Sequence, residues 1–232
     1  MTTDEWCKKH NIERVNSIEE LIEKSDCIDV LSPDNPEQHE ALSRLALESG
    51  KRVYIDKTFA ETKEIAERIF RTAEANAAPC FSSSALRFAA EYQKIDPSMV
   101  ENLVSIGPGP LDTYCIHQIE PIVSLMGANV QRVMCVGTEK WPATVIEYRD
   151  GRRATMSHHG WESPFLMCVD YRGGSSEILE IKSDFFKIFI NEMVDFFLNG
   201  NVKVKHEETI AVMGIREAAI KASKSPGEWI EI

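Results

Sequence analysis

The sequence predicts an α/β unit over residues 1–83 followed by an α+β unit over residues 84–232: a parallel sheet covered by helices, then a mostly antiparallel sheet. Three observations predict it. Short apolar runs alternate with helix-period segments in the N-terminal part, and the turn dipeptides Asp150-Gly151 and Gly173-Gly174 punctuate strand-like segments further on. The length of 232 residues, at about 150 per domain, allows one large or two modest domains.

Ser17-Ile18-Glu19-Glu20 reads as a capping box, so a short helix is expected to about residue 24. The apolar run from Cys27 to Leu31 is a strand stopped by Ser32-Pro33-Asp34-Asn35-Pro36, whose second proline suits the first turn of a helix over about 37–49. Gly50 sits where a helix ends in a left-handed residue, and Arg52-Val53-Tyr54-Ile55 supplies the next strand. Ile65, Ala66, Ile69, Phe70 and Ala73 recur at helical spacing, and Pro79-Cys80-Phe81-Ser82 gives one more buried strand. A helix is expected from Ala85, leading to Gly107-Pro108-Gly109-Pro110 and then to another helix. A meander of strands over 143–148, 153–159, 165–171 and 177–181 follows, and helices over about 184–198 and 207–223 end the pattern.

Charge and composition exclude several functions. With 26 basic and 37 acidic residues the net charge is −11, which disfavours nucleic-acid binding. No stretch reaches the roughly 18 to 20 apolar residues that cross a bilayer, and the N-terminus lacks a secretion signal, so a cytoplasmic address is expected. The six cysteines show no metal-ligand spacing and read as buried thiols. His158-His159 are adjacent in a strand and point to opposite faces, which argues against a shared metal ion; no metal is expected.

In an open parallel sheet, ligands bind beyond the carboxyl ends of the strands. The polar residues there are Ser32 to Asn35 with His39 beyond, Asp56-Lys57, and Ser82-Ser83-Ser84. A second locus is Thr113 and His117, four apart on one helical face, with Pro121 removing the amide that would bond the His117 carbonyl and so predicting a kink or frayed turn.

Ser32-Pro33 with Asn35 and His39, then Gly50 to Thr58, Arg87-Phe88, Ile116-His117, Leu125-Met126-Gly127 and the closing stretch 206–232 resemble the Gfo/Idh/MocA family of NAD(P)-dependent oxidoreductases. The resemblance implies a truncated doubly wound, Rossmann-like sheet in the first unit, and a substrate and oligomerisation unit in the second. It implies hydride transfer between NAD or NADP and a hydroxyl-bearing carbon, usually of a sugar, cyclitol or related polyol. Lys57 and His117 would be the catalytic, proton-handling pair. Ser32, Pro33, Asn35, His39 and Asp56 would lie at the cofactor, Arg87 and Thr113 at the substrate, and a homodimer or homotetramer would form.

The departures carry expectations of their own. The family's Glu-Lys-Pro reads Asp56-Lys57-Thr58 here, and the carboxylate four residues before the histidine is Thr113. The family's opening strand, glycine-rich turn and helix have no counterpart, roughly 30 to 40 residues by comparison with one βαβ unit. The one G-x-G, Gly107-Pro108-Gly109, is followed by a proline and no third glycine. Weak dinucleotide binding is therefore expected, and a non-catalytic binding or oligomerisation module is the alternative. The strand over 27–31 should be left without a neighbour unless residues 12–16 or a second chain cover its edge.

Overall fold

The computed structural model describes residues 1–32 and 35–232. At the N-terminus, α1 (Thr3–His10) opens with a reciprocal capping box between Thr2 and Glu5 and closes on Asn11 at φ 53°. In α2 (Ile18–Lys24), Ser17 Oγ accepts from the Glu20 amide at 3.1 Å. The other arm of the expected box is displaced by one residue: the Glu20 carboxylate accepts from the Asn16 amide at 2.9 Å.

A parallel sheet follows in the order β1 (Cys27–Val30), β2 (Arg52–Ile55), β3 (Cys80–Phe81). The crossovers run through a 3-10 turn (Pro36–Gln38) with α3 (His39–Glu48), and through α4 (Lys63–Ala75). Pleating sends Val53 and Ile55 into a core with Leu47, Ile69 and Phe70 from α3 and α4. Tyr54 and Phe81 point the other way and pack on Phe189 and Phe196 of α6 (Phe185–Asn199). A helix from late in the chain thus covers the second face of the first sheet, and Arg52 Nη1 donates to the Phe197 carbonyl at 2.7 Å to fasten it.

The second sheet corrects the expected meander. Its order is β10 (Trp229–Glu231), β5 (Val130–Gly137), β6 (Pro142–Tyr148), β7 (Arg153–His159), β4 (Val100–Pro108), β8 (Leu166–Tyr171), β9 (Ser176–Glu180). The four expected strands are present within a residue, yet β4 lies between β7 and β8, parallel to the first and antiparallel to the second. The expected helix from Ala85 is a single 3-10 turn over Ala85–Phe88, capped by Ser84, with two more such turns before β4. Gly151 and Gly174, both at positive φ, close hairpin turns as expected.

The helix α5 (Leu111–Met126) runs through Pro121 as one helical segment, so His117 does not lie in a frayed turn. It packs beside α7 (His206–Ala222) in one core under the second sheet. The strand β1 stands at the edge of its sheet, and residues 12–16 form no strand that covers it.

Candidate functional site

A cavity of about 180 Å³ opens where the carboxyl ends of β2 and β3 face α5 and α6. Asp56 and Lys57 enter it directly after β2, Ser83 and Ser84 after β3, and Tyr114 and His117 from the first turns of α5. Phe165, Phe185, Phe186 and Phe189 complete an aromatic wall. Topology explains the convergence: parallel crossovers put both loop ends on one edge of the sheet, and α6 folds back over that edge.

Beneath the cavity lies a buried polar network. His117 Nδ1 is 2.7 Å from Ser84 Oγ, and the Ser84 amide donates to Glu120 Oε1 at 3.4 Å. Ser83 Oγ donates to the Ser84 carbonyl at 3.0 Å and to Glu120 Oε2 at 3.3 Å, and the Tyr54 hydroxyl donates to the Ser83 carbonyl at 3.1 Å. Glu120, one turn beyond His117 on α5, is 2 % exposed. Burial pushes its carboxyl above the ordinary range, against the lowering effect of Arg87, whose Nη1 lies 3.0 Å from Oε2. Burial, reinforced by Asp56, Asp29 and Glu120, also raises the Tyr54 phenol well above its usual value, so Tyr54 is a neutral donor here.

The remaining residues singled out in the sequence occupy other places. His39 is fully buried, with Nδ1 3.1 Å from the Phe59 carbonyl and Nε2 3.0 Å from the Ser32 carbonyl. It ties the loop after β1 to the chain beyond β2. Asn35 is exposed on that loop, and its amide donates to the Ser32 carbonyl at 3.3 Å. Pro33 lies outside the described residues. None of Ser32, Asn35 and His39 lines the cavity. Arg87, expected at the substrate, is 7 % exposed and held between Glu120 and Glu208, away from the cavity lining. Thr113 is exposed and also outside the lining.

His158 is buried with Nδ1 3.0 Å from the Gly109 carbonyl, whereas His159 is exposed. Among the described residues no cluster of three or more His, Cys, Asp or Glu is placed to hold a metal. The cysteines form no disulfide; Cys27 and Cys168 are half-buried and the other four buried, and burial pushes the Cys80 and Cys115 thiols up to about 12. Among the described residues no helix is long and apolar enough to cross a membrane.

Sequence reasoning missed Glu120, although its spacing of three from His117 places it on the same helical face. It also missed the aromatic wall of Phe165, Phe185, Phe186 and Phe189. Phe186 is 60 % exposed, which no periodicity reveals.

Residues 2–83 match the model of the family described as "Oxidoreductase family, NAD-binding Rossmann fold", GFO_IDH_MocA. This segment, about a third of the chain, is thus similar to the Gfo/Idh/MocA oxidoreductases. No curated protein sequence matches it. A probable dehydrogenase from Thermotoga maritima is similar in fold, with TM-score 0.82 at 14% identity over 98% of this chain and 87% of that one. The apo scyllo-inositol dehydrogenase from Lactobacillus casei gives 0.80 at 15% identity, over 98% and 86%. GenD2 from gentamicin A biosynthesis, determined in complex with NAD, gives 0.77 at 12% identity, over 99% and 85%.

The fit of the chain to a dinucleotide differs between its two ends. The cavity side offers Lys57 and His117 beside a small aromatic pocket, which suits a nicotinamide and the carbon it reacts with. At the pyrophosphate end, the described residues provide no glycine-rich turn between a strand and a helix. Gly107 and Gly109 are there for packing: a Cβ on Gly107 would lie 2.9 Å from Gln118 and Phe165, and one on Gly109 would lie 2.7 Å from Tyr114.

Proposed function

We propose that the chain is an oxidoreductase that transfers a hydride between NAD or NADP and a hydroxyl-bearing carbon of a sugar, cyclitol or related compound. The observation that carries the reading is the meeting of Lys57 and His117, distant in sequence, on one cavity at the carboxyl end of a parallel sheet. The scyllo-inositol dehydrogenase and the NAD-bound GenD2 among the similar structures support the substrate class and the cofactor.

A bound nicotinamide supplies or accepts the hydride at the substrate carbon. The chain's task is the proton on the substrate oxygen, which must leave or arrive as the hydride moves, and Lys57 and His117 are the groups that hold it. Phe165, Phe185 and Phe189 keep water from the reacting carbon and strengthen the electrostatics of both groups. Asp56 and the His39-anchored loop of Ser32 and Asn35 border the cofactor side. In this reading residues 1–83 serve the cofactor and residues 84–232 the substrate. The exposed Val104, Val136 and Ile178 on the second sheet belong to a homo-oligomer contact, in a cytoplasmic enzyme.

The alternative, a non-catalytic binding module, draws on the lack of a phosphate cradle among the described residues. NAD(P)H turnover over a panel of polyols and their ketones separates the two. The enzyme reading expects activity that falls about 10²- to 10⁴-fold in Lys57→Ala and His117→Ala. Turnover absent across the panel, with substrate binding retained, favours the module.

A further inference from the structure

We infer that Ser84 is the positioning residue of His117: its hydroxyl donates to Nδ1, fixes the neutral ring as the Nε2–H tautomer, and makes the histidine a hydrogen-bond donor to the substrate oxygen. This divides the role given above to the pair: proton transfer falls to Lys57, and His117 bonds the oxygen without giving up its own proton. The inference rests on the hydride-transfer reading for its chemistry, but the tautomer itself does not.

The geometry leads there in steps. Ser84 is fully buried, and its hydroxyl has one hydrogen and two acceptor positions. One acceptor position takes the Leu86 amide at 3.3 Å, the contact that caps the Ala85–Phe88 turn. The backbone is clamped on both sides, the amide on Glu120 Oε1 and the carbonyl under Ser83 Oγ, which restricts where the hydroxyl can swing. A buried hydroxyl hydrogen needs an acceptor, and His117 Nδ1 at 2.7 Å is the one in reach. A nitrogen that accepts carries no proton, so in the neutral ring the proton sits on Nε2.

A carboxylate in place of Ser84 would do the opposite, because an acceptor-only group keeps Nδ1 protonated and leaves Nε2 as a base. Position 113, where such a group could stand, is an exposed threonine. In the reducing direction the hydride adds with its electron pair to the carbonyl carbon, and the C=O π pair moves to oxygen. One N–H bond of the Lys57 ammonium breaks and its proton completes the hydroxyl. His117 keeps its Nε2 proton and stabilises the charge that develops on oxygen.

The test uses the full chain labelled with ¹⁵N-histidine and long-range ¹H–¹⁵N correlation spectra, with the His117 signals assigned by His117→Gln. In the neutral ring the expected result is protonated Nε2 and bare Nδ1, favoured about tenfold. Ser84→Ala should bring the two tautomers to comparable populations, and Ser84→Thr, which keeps both the hydroxyl and the cap, should restore the excess. A protonated Nδ1 in the parent chain, or an unchanged ring in Ser84→Ala, overturns the inference. If Ser84→Ala does not fold, the parent and Ser84→Thr spectra decide. Absence of turnover on any substrate would defeat the hydride-transfer reading and leave the tautomer result standing. Where turnover is present, Ser84→Ala should lower kcat more than it changes KM.

Discussion

Replacing Arg87 by methionine removes the counter-charge of a carboxylate that is almost wholly out of water. Glu120 is 2 % exposed and Arg87 7 %, and the guanidinium spans Glu120 and Glu208. Arg87 Nη1 also donates to the Glu120 carbonyl at 3.3 Å, so one side chain satisfies a backbone acceptor of α5 and its carboxylate together. Breaking a buried pair by deleting one member costs about 3 to 5 kcal/mol. For a chain of this size that corresponds to a loss of roughly 6 to 20 °C in melting temperature. The deficit should depend on pH. Burial already raises the Glu120 carboxyl, and without Arg87 it rises further, so the folded variant holds that proton more tightly than the unfolded chain does. Stability is therefore retained at acid pH and lost as pH rises through the folded value, so the gap to the parent should be wider near pH 8 than near pH 5. Thermal and urea unfolding at both pH values measure this. In the double variant Arg87→Met with Glu120→Leu much of the loss should return, because no unpaired charge remains buried. A single variant within about 1 kcal/mol of the parent, or a double variant no better than the single, would refute the reasoning.

Asp29 lies exposed on β1 at the sheet edge, and partial desolvation of its carboxyl by the surrounding packing, helped by Asp56, pushes it up to about 6. A raised carboxyl favours the fold below its unfolded value and loses that benefit as pH climbs through about 6. Asp29→Asn should thus stabilise at pH 7, by no more than about 1 kcal/mol because the residue is exposed and screened, and leave stability at pH 4 unchanged in urea titrations. Gly107→Ala forces a methyl against Gln118 and Phe165, at a cost of about 1 to 3 kcal/mol in unfolding measurements, and should raise KM by shifting the Phe165 wall. Titration calorimetry with NAD and NADP should give dissociation constants weaker than about ten micromolar. Two or three missing charge-assisted bonds to the pyrophosphate remove roughly 3 to 9 kcal/mol, and tighter binding would contradict the account.

Local chemistry made much of the fold legible. Ser17 caps its helix through its hydroxyl, Gly50 takes positive φ after α3, and the glycines at 151 and 174 turn hairpins. What the sequence concealed depends on distant contacts. The strand β4 carries Glu101, Asn102 and Ser105, which blunt its apolar alternation, and it is a strand because β7 and β8 bond it on both sides. Ser84 does cap the segment that follows it, but the apolar stretch beyond lacks the hydrogen-bonded turns of an α-helix and forms separate 3-10 turns instead. At the site, Lys57 and His117 could be named from resemblance, whereas Arg87 could not be placed. A lone arginine near a cleft reads as a substrate ligand until its partners, Glu120 and Glu208, are brought to it from two other helices.

The same helices explain why the site depends on the whole chain. The aromatic wall belongs largely to α6, which is held down by Tyr54 and Phe81 of the first sheet and by Arg52 at its end. The histidine belongs to α5, whose Glu120 reaches the loop after β3 through Ser83 and Ser84. Each half therefore helps to build the other's side of the cavity: the loop after β3 brings Ser84 Oγ within 2.7 Å of His117 Nδ1, and α6 lines the pocket that Lys57 enters after β2. On the proposed reading, a geometry shared this way needs no carboxylate at position 113, because Ser84 orients the imidazole from across the cleft.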